Sequence, residues 1–152
     1  MAVRASRLLV VAAVVALFPL SAKAIHVDLS ATAGYWFLVD TPQVAVDVGI
    51  RHPVGEVVSL GLRVGVFLDP DPFRGVLGVG APVDALLRFT IKQVYIDLFG
   101  GPWFVFTDPF FVRVHAGVGV GVRLSKLFSI GIESAYLQPG ANVMARFTFY
   151  LI

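Results

Sequence analysis

The chain has 152 residues, a length typical of one domain, and its 12 basic and 10 acidic residues give a net charge of +2. Apolar residues make up 57% and charged residues only 14%, whereas about a quarter of the residues in a soluble domain are charged. The chain has no cysteine, which excludes a disulfide framework and a thiolate metal site. The composition therefore favours a membrane protein.

The first 24 residues have the organisation of a secretory signal peptide. Arg4 and Arg7 precede an apolar core at positions 8–20, and residues 22–24 read Ala-Lys-Ala, a small-residue cleavage pattern. The apolar core is shorter than the roughly 20 residues that a spanning helix needs, which argues against an anchor. We therefore predict that residues 1–24 are removed and that residues 25–152 form the mature domain.

Removal of the signal peptide changes the charge of the protein. Three of the 12 basic residues lie in it, so the mature domain has nine basic and ten acidic residues and a net charge of −1. The basic excess of the whole chain therefore belongs to the targeting segment, and we expect no nucleic-acid partner.

Turn signals divide the mature domain into eight segments of alternating polarity. Clusters of proline, glycine and aspartate separate them, and proline cannot continue a strand ladder because it lacks the N–H donor. The predicted segments are 26–39, 43–51, 57–68, 75–89, 92–107, 110–125, 128–137 and 141–152. Within the fourth segment, Pro82 indicates a β-bulge or an early end of the strand.

The sixth segment shows the alternation most clearly. From position 110 to 124 every even residue is apolar, whereas the odd residues after Phe111 are Arg113, His115, Arg123 and glycines. Successive side chains of a strand point to opposite faces, so one face is apolar and the other polar. The run is about twice as long as a strand in a soluble domain, and about ten tilted residues cross the hydrocarbon of a bilayer. We interpret it as a transmembrane β-strand.

Eight such segments predict an all-β fold, an eight-stranded antiparallel up-and-down transmembrane β-barrel. No stretch after the signal peptide has helical periodicity. The meander is expected to close because a bilayer does not tolerate an open sheet edge.

The alternation alone would also fit a soluble, lipocalin-like barrel with an apolar interior. The polar face is rich in glycine, and the only lysines of the predicted mature domain are Lys92 and Lys126, both at turns. Both features favour the membrane alternative. Aromatic residues also cluster at both ends of the segments, as in the interfacial girdles of membrane barrels. The expected interfacial aromatics are Tyr35, Phe37, Phe104, Phe106, Phe110 and Tyr136 at one end and Phe89, Phe128, Phe147 and Phe149 at the other.

The charged residues are expected to point into the barrel lumen. Each arginine placed on lipid near the midplane would cost about 2–4 kcal/mol, and several together would exceed a total stability of about 5–15 kcal/mol. An eight-stranded barrel is just wide enough inside for side chains to fill, so we expect a plug of ion pairs. The expected lumen residues are Asp28, Asp47, Arg51, Arg63, Asp84, Arg88, Asp97, Arg113, His115, Arg123, Glu133 and Arg146.

Hairpin geometry predicts two pairs in this plug. If Pro139 and Gly140 form a two-residue turn, Glu133 faces Arg146 across the last hairpin. The same reasoning makes Asp47 and Arg63 neighbours.

An export signal, eight two-faced segments, aromatic girdles and a charged lumen together resemble the small outer-membrane barrels of the OmpA/OmpX type in Gram-negative bacteria. The resemblance implies an outer-membrane location and contact with periplasmic chaperones and the barrel-assembly machinery during biogenesis. In that family the last strand alternates and ends in an aromatic residue that the machinery recognises. Phe147, Phe149 and Leu151 supply the alternation, whereas position 152 is isoleucine.

Two features that could indicate a binding site, the Gly-Val repeat and the histidines, are explained better as structural residues. The Gly-Val repeat at positions 117–121 suggests a phosphate-binding loop, but it lacks the Lys-Ser/Thr of a P-loop, and we interpret its glycines as space in the lumen. His26, His52 and His115 lie on different segments without metal-ligand spacing. We expect no metal and no cofactor.

His115 could act as a catalytic base if Asp97 or Glu133, on the adjacent segments, oriented its ring. Folding the fifth and sixth segments together places Asp97 nearer Gly119 than His115, which favours a lumen histidine without a catalytic role. Lipid A deacylases are barrels of similar build, but the expected lipid face here offers Ser134 without a histidine beside it. We therefore expect no catalytic residue, with a lipid- or lipopolysaccharide-modifying enzyme and a narrow, porin-like pore as alternatives.

Trp36 and Trp103 lie near the same predicted end of the barrel. Tryptophan is enriched at membrane–water interfaces, so we expect both residues to be interface anchors.

Overall fold

A computed structural model describes residues 25–38, 40–71, 76–107, 112–137 and 140–151. The described residues form eight strands: β1 (His26–Trp36), β2 (Thr41–Pro53), β3 (Val58–Asp71), β4 (Val76–Ile91), β5 (Val94–Val105), β6 (Val112–Arg123), β7 (Phe128–Leu137) and β8 (Gly140–Tyr150). The predicted signal peptide and Phe110 lie outside the described residues.

The strands form one closed antiparallel barrel. Each strand pairs with the next along the chain, and β1 pairs with β8, for example through Ser30 and Thr148. This closure leaves no open sheet edge, and it confirms the predicted up-and-down eight-stranded fold.

Within the described ranges, no helix is long and apolar enough to cross a membrane.

The two faces of the wall differ in the way that the alternation predicts. Along β8 every second residue from Gly140 to Tyr150 is buried, and the residues between them are exposed. The outer positions of β6 are valines apart from Ala116, and Val120, for example, is 51% exposed. Because the buried positions carry most of the charge and the exposed positions are apolar, the barrel is polar inside and apolar outside, the reverse of a soluble protein.

Both chain ends described by the structure lie at the same end of the barrel, which we call the termini end. The turns at 54–57, 92–93 and 124–127 also lie there. The opposite end, which we call the far end, is where β1, β3, β5 and β7 end and where β2, β4, β6 and β8 begin.

β4 continues through Pro82 without a bulge, so the expectation of a bulge or an early strand end is wrong. The pairing of β4 with β3 is interrupted at Ala81 and Pro82 and resumes in the same register at Val83. Since proline has no N–H group, it interrupts the ladder without inserting an extra residue.

The predicted register of the last hairpin is also wrong. Gly140 belongs to β8 and pairs with Leu137, so the turn lies one residue earlier than expected. This moves the register by two positions: Glu133 faces Met144, and Arg146 faces Gly131.

Candidate functional site: the barrel lumen

Charged side chains fill the middle of the barrel. Arg63 donates from Nη2 and Nε to Asp84 Oδ2, at 2.8 and 3.1 Å, and from Nη1 to Glu133 Oε1 at 2.9 Å. Arg146 lies against the same Glu133, with 2.7 Å between its Nε and Oε1. Its Nη1 and Nη2 donate to Asp47 at 3.1–3.2 Å. We call these five residues the central cluster.

The central cluster connects strands that are not neighbours in the sheet. Its members come from β2, β3, β4, β7 and β8, and each is at most 5% exposed. The three carboxylates and two guanidinium groups leave an excess of one negative charge when the cluster is counted alone. Because an uncompensated buried charge is costly, the two guanidinium groups are the partners on which the cluster depends most.

The two predicted lumen pairs both occur in the central cluster. Glu133 and Arg146 are in contact although their strand register differs from the prediction, because the long arginine side chain reaches diagonally across the hairpin. Asp47 and Arg63 are more distant, with 3.9 Å between Oδ1 and Nε.

His115 on β6 adjoins the central cluster. Its Nδ1 lies 3.1 Å from Asp84 Oδ1. Its ring packs against Phe99 and Trp103, with centroid distances of 5.3 and 6.3 Å. The histidine is therefore held by a carboxylate on one side and by aromatic rings on the other.

Neither Asp97 nor Glu133, the two carboxylates weighed from the sequence as partners of His115, is the one in contact with its Nδ1. The carboxylate in contact is Asp84 on β4, a strand that does not pair with β6. Asp97 faces Gly119 across β5 and β6, as the hairpin geometry predicted. The contact between His115 and Asp84 joins β6 to β4 inside the lumen, with β5 between them in the sheet. It therefore cannot be predicted from the pairing of neighbouring strands.

A second group of charges lies nearer the termini end. Arg51 donates to Asp28 Oδ2 from Nη2 and Nε, at 2.7 and 2.8 Å. Arg88 forms a two-point pair with Asp97, at 2.6 Å for both hydrogen bonds. Its Nη1 also donates to the Tyr150 hydroxyl at 3.2 Å. The Arg88–Asp97 pair uses both carboxylate oxygens, which holds both groups in a fixed geometry. Both pairs lie in the lumen between the central cluster and the termini end.

Arg113 and Arg123 are less deeply buried than the other lumen arginines. The guanidinium carbon of Arg113 lies 5.7 Å from the centre of the Trp36 ring, and that of Arg123 lies 4.6 Å from the Tyr150 ring. Both distances are within the range of a cation–π contact. These two residues thus lie toward the opposite ends of the charged lumen.

Glycine positions make room for the charged side chains. A Cβ atom on Gly61 would lie 2.6 Å from Arg51 Cγ and closer still to the backbone oxygen of Ile50, and one on Gly119 would lie 3.1 Å from Glu133 Cγ. Both distances are tighter than ordinary contact, so larger residues at these positions would displace the charges. This supports the interpretation of the Gly-Val repeat as space in the lumen.

Trp36 and Trp103 lie inside the barrel, so the expectation that they anchor the interface is wrong. Each is 3% exposed, and their ring centres are 5.9 Å apart. Phe67 packs against Trp103 with a centroid distance of 4.0 Å, and Val105 and Leu137 complete the group. We call these five residues the aromatic lid, because they fill the lumen toward the far end.

The predicted interfacial aromatics other than Phe110 lie on the outside of the wall or just beyond the strand ends, at the two ends of the barrel. The exposed members are Tyr35, Phe37, Phe106 and Tyr136 at the far end and Phe147 and Phe149 at the termini end. Phe89, Phe104 and Phe128 are half-buried. Phe128 packs against Phe149 with ring centres 5.2 Å apart.

Several lumen residues were not singled out as site residues from the sequence. Phe99 and Tyr95 lie under Arg63 and Arg88, with 4.3 and 4.0 Å between the guanidinium carbon and the ring centre. Their positions share the alternation of Asp97, so the sequence did contain a signal for them. The predicted lumen set contained only titratable residues, so it omitted the rings of Phe99 and Tyr95, on which two of the arginines lie.

The arrangement holds few groups suited to catalysis. Among the described residues, no three His, Asp or Glu side chains are arranged to hold a metal ion. The His115–Asp84 pair could act as a base, but Ser134 is exposed on the outer face of the wall. The geometry is therefore that of a packed polar core.

Solved structures of transmembrane barrels have the same fold. A de novo designed transmembrane β-barrel has a TM-score of 0.61 at 16% identity, over 83% of this chain and 95% of that one. The outer membrane protein Ail of Yersinia pestis, in a phospholipid bilayer nanodisc, has a TM-score of 0.53 at 14% identity, over 82% and 99%. The N-terminal β-barrel domain of Pseudomonas aeruginosa OprF has a TM-score of 0.51 at 16% identity, over 83% and 97%.

No protein-family model and no curated protein sequence matches the chain. At these identities the solved structures establish the fold alone. The chain has the fold of a transmembrane β-barrel.

Proposed function

We propose that the chain is a small outer-membrane β-barrel of a Gram-negative bacterium, exported by residues 1–24 and embedded in lipid through residues 25–152. Its role is structural, in membrane integrity or in interaction with other membrane components, and it is not catalytic. The observation that carries this proposal is the combination of an apolar outer wall with a lumen closed by interlocked charges.

The outer wall supports embedding in a bilayer. Val114 and Ile132 are each 62% exposed, and aromatic residues flank the apolar positions at both ends. Such a surface would associate in water but matches the hydrocarbon band and girdles of membrane barrels. Location in the outer membrane would bring the chain into contact with periplasmic chaperones and the barrel-assembly machinery during biogenesis.

The lumen supports a closed barrel. Arg63 and Arg146 hold carboxylates from several strands near the middle, and the Arg88–Asp97 pair lies below them. Trp103 lies above them in the aromatic lid. An ion crossing the barrel would have to separate these groups, so we expect no steady conductance.

The first experiment asks whether the chain is a folded outer-membrane protein. We expect it in the outer-membrane fraction, in a form that migrates differently on a gel before and after boiling, as a closed barrel does. Extraction without detergent would contradict the proposal and favour a soluble barrel.

The second experiment separates the remaining roles. Single-channel recording in planar bilayers should give no steady current, whereas a reproducible conductance would favour the narrow pore. Lipid A isolated from cells with and without the protein should be chemically identical. A difference that is lost in a His115→Gln variant would instead favour an enzyme that uses the His115–Asp84 pair.

A further inference from the structure

The two lysines of residues 25–152 lie at the same end of the barrel, on two of its turns. Lys92 lies between β4 and β5, and Lys126 lies between β6 and β7. Both residues are exposed. Among the described residues between strands at the termini end, Glu56 is the one acidic residue, so the turns at this end have an excess of positive charge.

Hydrogen bonds on both sides hold these two turns against the barrel. The backbone N–H of Arg123, at the end of β6, donates to the carbonyl oxygen of Gln93 at 2.7 Å, which joins β6 to the turn after β4. The backbone N–H of Tyr150, at the end of β8, donates to the carbonyl oxygen of Leu127 at 2.9 Å, which joins β8 to the turn after β6. The two lysines are therefore presented by neighbouring, ordered turns.

Arginines inside the barrel add to the positive charge behind these turns. The guanidinium carbons of Arg123 and Arg51 lie 4.6 and 5.4 Å from the centre of the Tyr150 ring, and Arg88 donates to the Tyr150 hydroxyl at 3.2 Å. Counted with the two carboxylates that pair with Arg51 and Arg88, the three arginines have a net charge of +1.

The residues beside each lysine are apolar and exposed. Leu127 and Ile91, at 66% and 64%, are the two most exposed large apolar residues among those described, and Leu124 is also exposed. We call these three residues, with Lys92 and Lys126, the lysine rim. At a bilayer surface the apolar side chains contact the hydrocarbon boundary, while the lysine amino groups extend to the level of the headgroups.

The backbone of Lys92 is independent support for a role of its side chain. Its φ is 56°, in the left-handed region, and it lies in a two-residue connection between Ile91 and Val94. Glycine and asparagine are the usual residues at such positions, because other side chains are strained there. A lysine destabilises the turn relative to these residues, and a favourable contact of its charge would offset that loss.

The chemistry of the lysine rim identifies the class of partner. Lysine amino groups attract phosphate oxygens, and the exposed apolar side chains beside them match acyl chains. A phospholipid combines both groups. A zwitterionic headgroup has its own cation, which competes with the lysines, whereas an anionic headgroup has none. A soluble acidic protein would match the charge of the rim but not its exposed leucines and isoleucine.

We propose that the lysine rim binds anionic phospholipid, so that the termini end of the barrel selects a leaflet that contains it. The inference rests on the proposed embedding in a bilayer. It adds the class of lipid and the end of the barrel that recognises it.

The test uses the full chain in phosphatidylcholine vesicles. Because the chain has no cysteine, Gln93→Cys places a single fluorophore beside the lysine rim, and Leu38→Cys places one at the far end as the control. Both positions are exposed. The vesicles contain a small fraction of spin-labelled lipid, either phosphatidylglycerol or phosphatidylcholine, with the nitroxide near the headgroup. Quenching of the fluorophore reports which lipid lies next to it.

At position 93 we expect phosphatidylglycerol to quench more strongly than phosphatidylcholine, with a local enrichment of up to about fivefold for each lysine. High salt should reduce the difference, because it screens exposed charges. At position 38 the two lipids should quench equally. Equal quenching at position 93 overturns the proposal and would leave the lysines to a soluble acidic partner.

Substitutions assign the effect to the lysines. Lys92→Asn combined with Lys126→Gln should abolish the enrichment at position 93, whereas Glu56→Gln, on the third turn at the same end, should leave it in place. Asparagine tolerates a positive φ, so Lys92→Asn alone should not lower the urea stability in phosphatidylcholine. Enrichment that persists without both lysines also overturns the proposal.

The membrane role is tested separately by fractionation and by migration on a gel before and after boiling. A barrel that is folded in the vesicles but shows no preference between the two lipids contradicts this inference and leaves the proposed function intact. The two proposals can therefore fail independently.

Discussion

Replacement of Arg146 by methionine should destabilise the barrel more than replacement of Glu133 by methionine. The two side chains contact each other at 2.7 Å on neighbouring strands, and both are nearly fully buried. The same residue is introduced in both variants, so the comparison isolates the sign of the charge that is lost.

The magnitude follows from the charge balance of the central cluster. Without Arg146, Asp47 keeps only the more distant Arg63, at 3.9 Å, because His115 contacts Asp84 and not Asp47. Breaking a buried pair in this way costs about 3–5 kcal/mol. Without Glu133, two carboxylates and two guanidinium groups remain, and the loss is that of hydrogen bonds to charged groups, about 1.5–3 kcal/mol. The expected difference of about 1.5–2 kcal/mol corresponds to more than a tenfold change in the unfolding equilibrium constant.

The assay is reversible urea unfolding in lipid vesicles, with the folded fraction read from gel migration before boiling. Lys92→Met and Glu56→Met, at exposed turn positions, form the matched control pair and should each change stability by less than about 0.5 kcal/mol. Equal losses for the two lumen variants, or a larger loss for Glu133→Met, would refute the reasoning from charge balance. The double variant should show a coupling of about 0.5–3 kcal/mol, and a coupling of zero would contradict the contact between Glu133 and Arg146.

Three further outcomes are expected. Val120→Arg places a charge on the outer wall and should lower the urea stability by about 2–4 kcal/mol, and an unchanged midpoint would contradict the lipid-facing assignment. Gly61→Ala, whose Cβ would clash with the Ile50 backbone oxygen and lie 2.6 Å from Arg51 Cγ, should lower stability by about 1–3 kcal/mol. Gly55→Ala, with open space around it, should not, and equal effects would contradict the packing argument. Trp103→Ala should widen the lid yet remain non-conducting in planar bilayers, and a steady current would show that the lid alone closes the lumen.

The sequence was sufficient to predict which residues face the lumen and which face outward. A bilayer excludes charged side chains from the outer face, so polar and apolar residues alternate along each strand with few exceptions. A single arginine on the lipid face costs a large share of the total stability. Asp47, Arg63 and Glu133 therefore had to share a face with glycines, and the structure places all three in the lumen.

Trp36 and Trp103 do not follow the general preference of tryptophan for the membrane–water interface. Tryptophan is enriched at interfaces, but the alternation of each strand is a stronger constraint than the residue type. Trp36 is an even-numbered residue of β1, like Asp28, and Trp103 is an odd-numbered residue of β5, like Asp97. Both share the lumen face with those charges, and the large rings fill the space that the ion pairs leave toward the far end.

Contacts across the lumen could not be predicted from strand order. The His115–Asp84 contact joins strands that are not paired, and it depends on the way the barrel closes. The register of the last hairpin changed by two residues because Gly140 joined the strand and not the turn. Glu133 and Arg146 are in contact although the predicted register is wrong. The long arginine side chain reaches a residue two positions away along the neighbouring strand.

The closed lumen limits where any function of this barrel can be located. Passage through the centre is opposed by the aromatic lid and by two groups of ion pairs, which leaves the outer wall and the two ends. At the far end, successive strands are separated by at most six positions of the sequence, between Val105 and Val112, which leaves little chain for specific recognition. The outer wall, by contrast, presents apolar side chains along all eight described strands. The surface that the eight described strands present is therefore the apolar outer wall, which agrees with the membrane role proposed above.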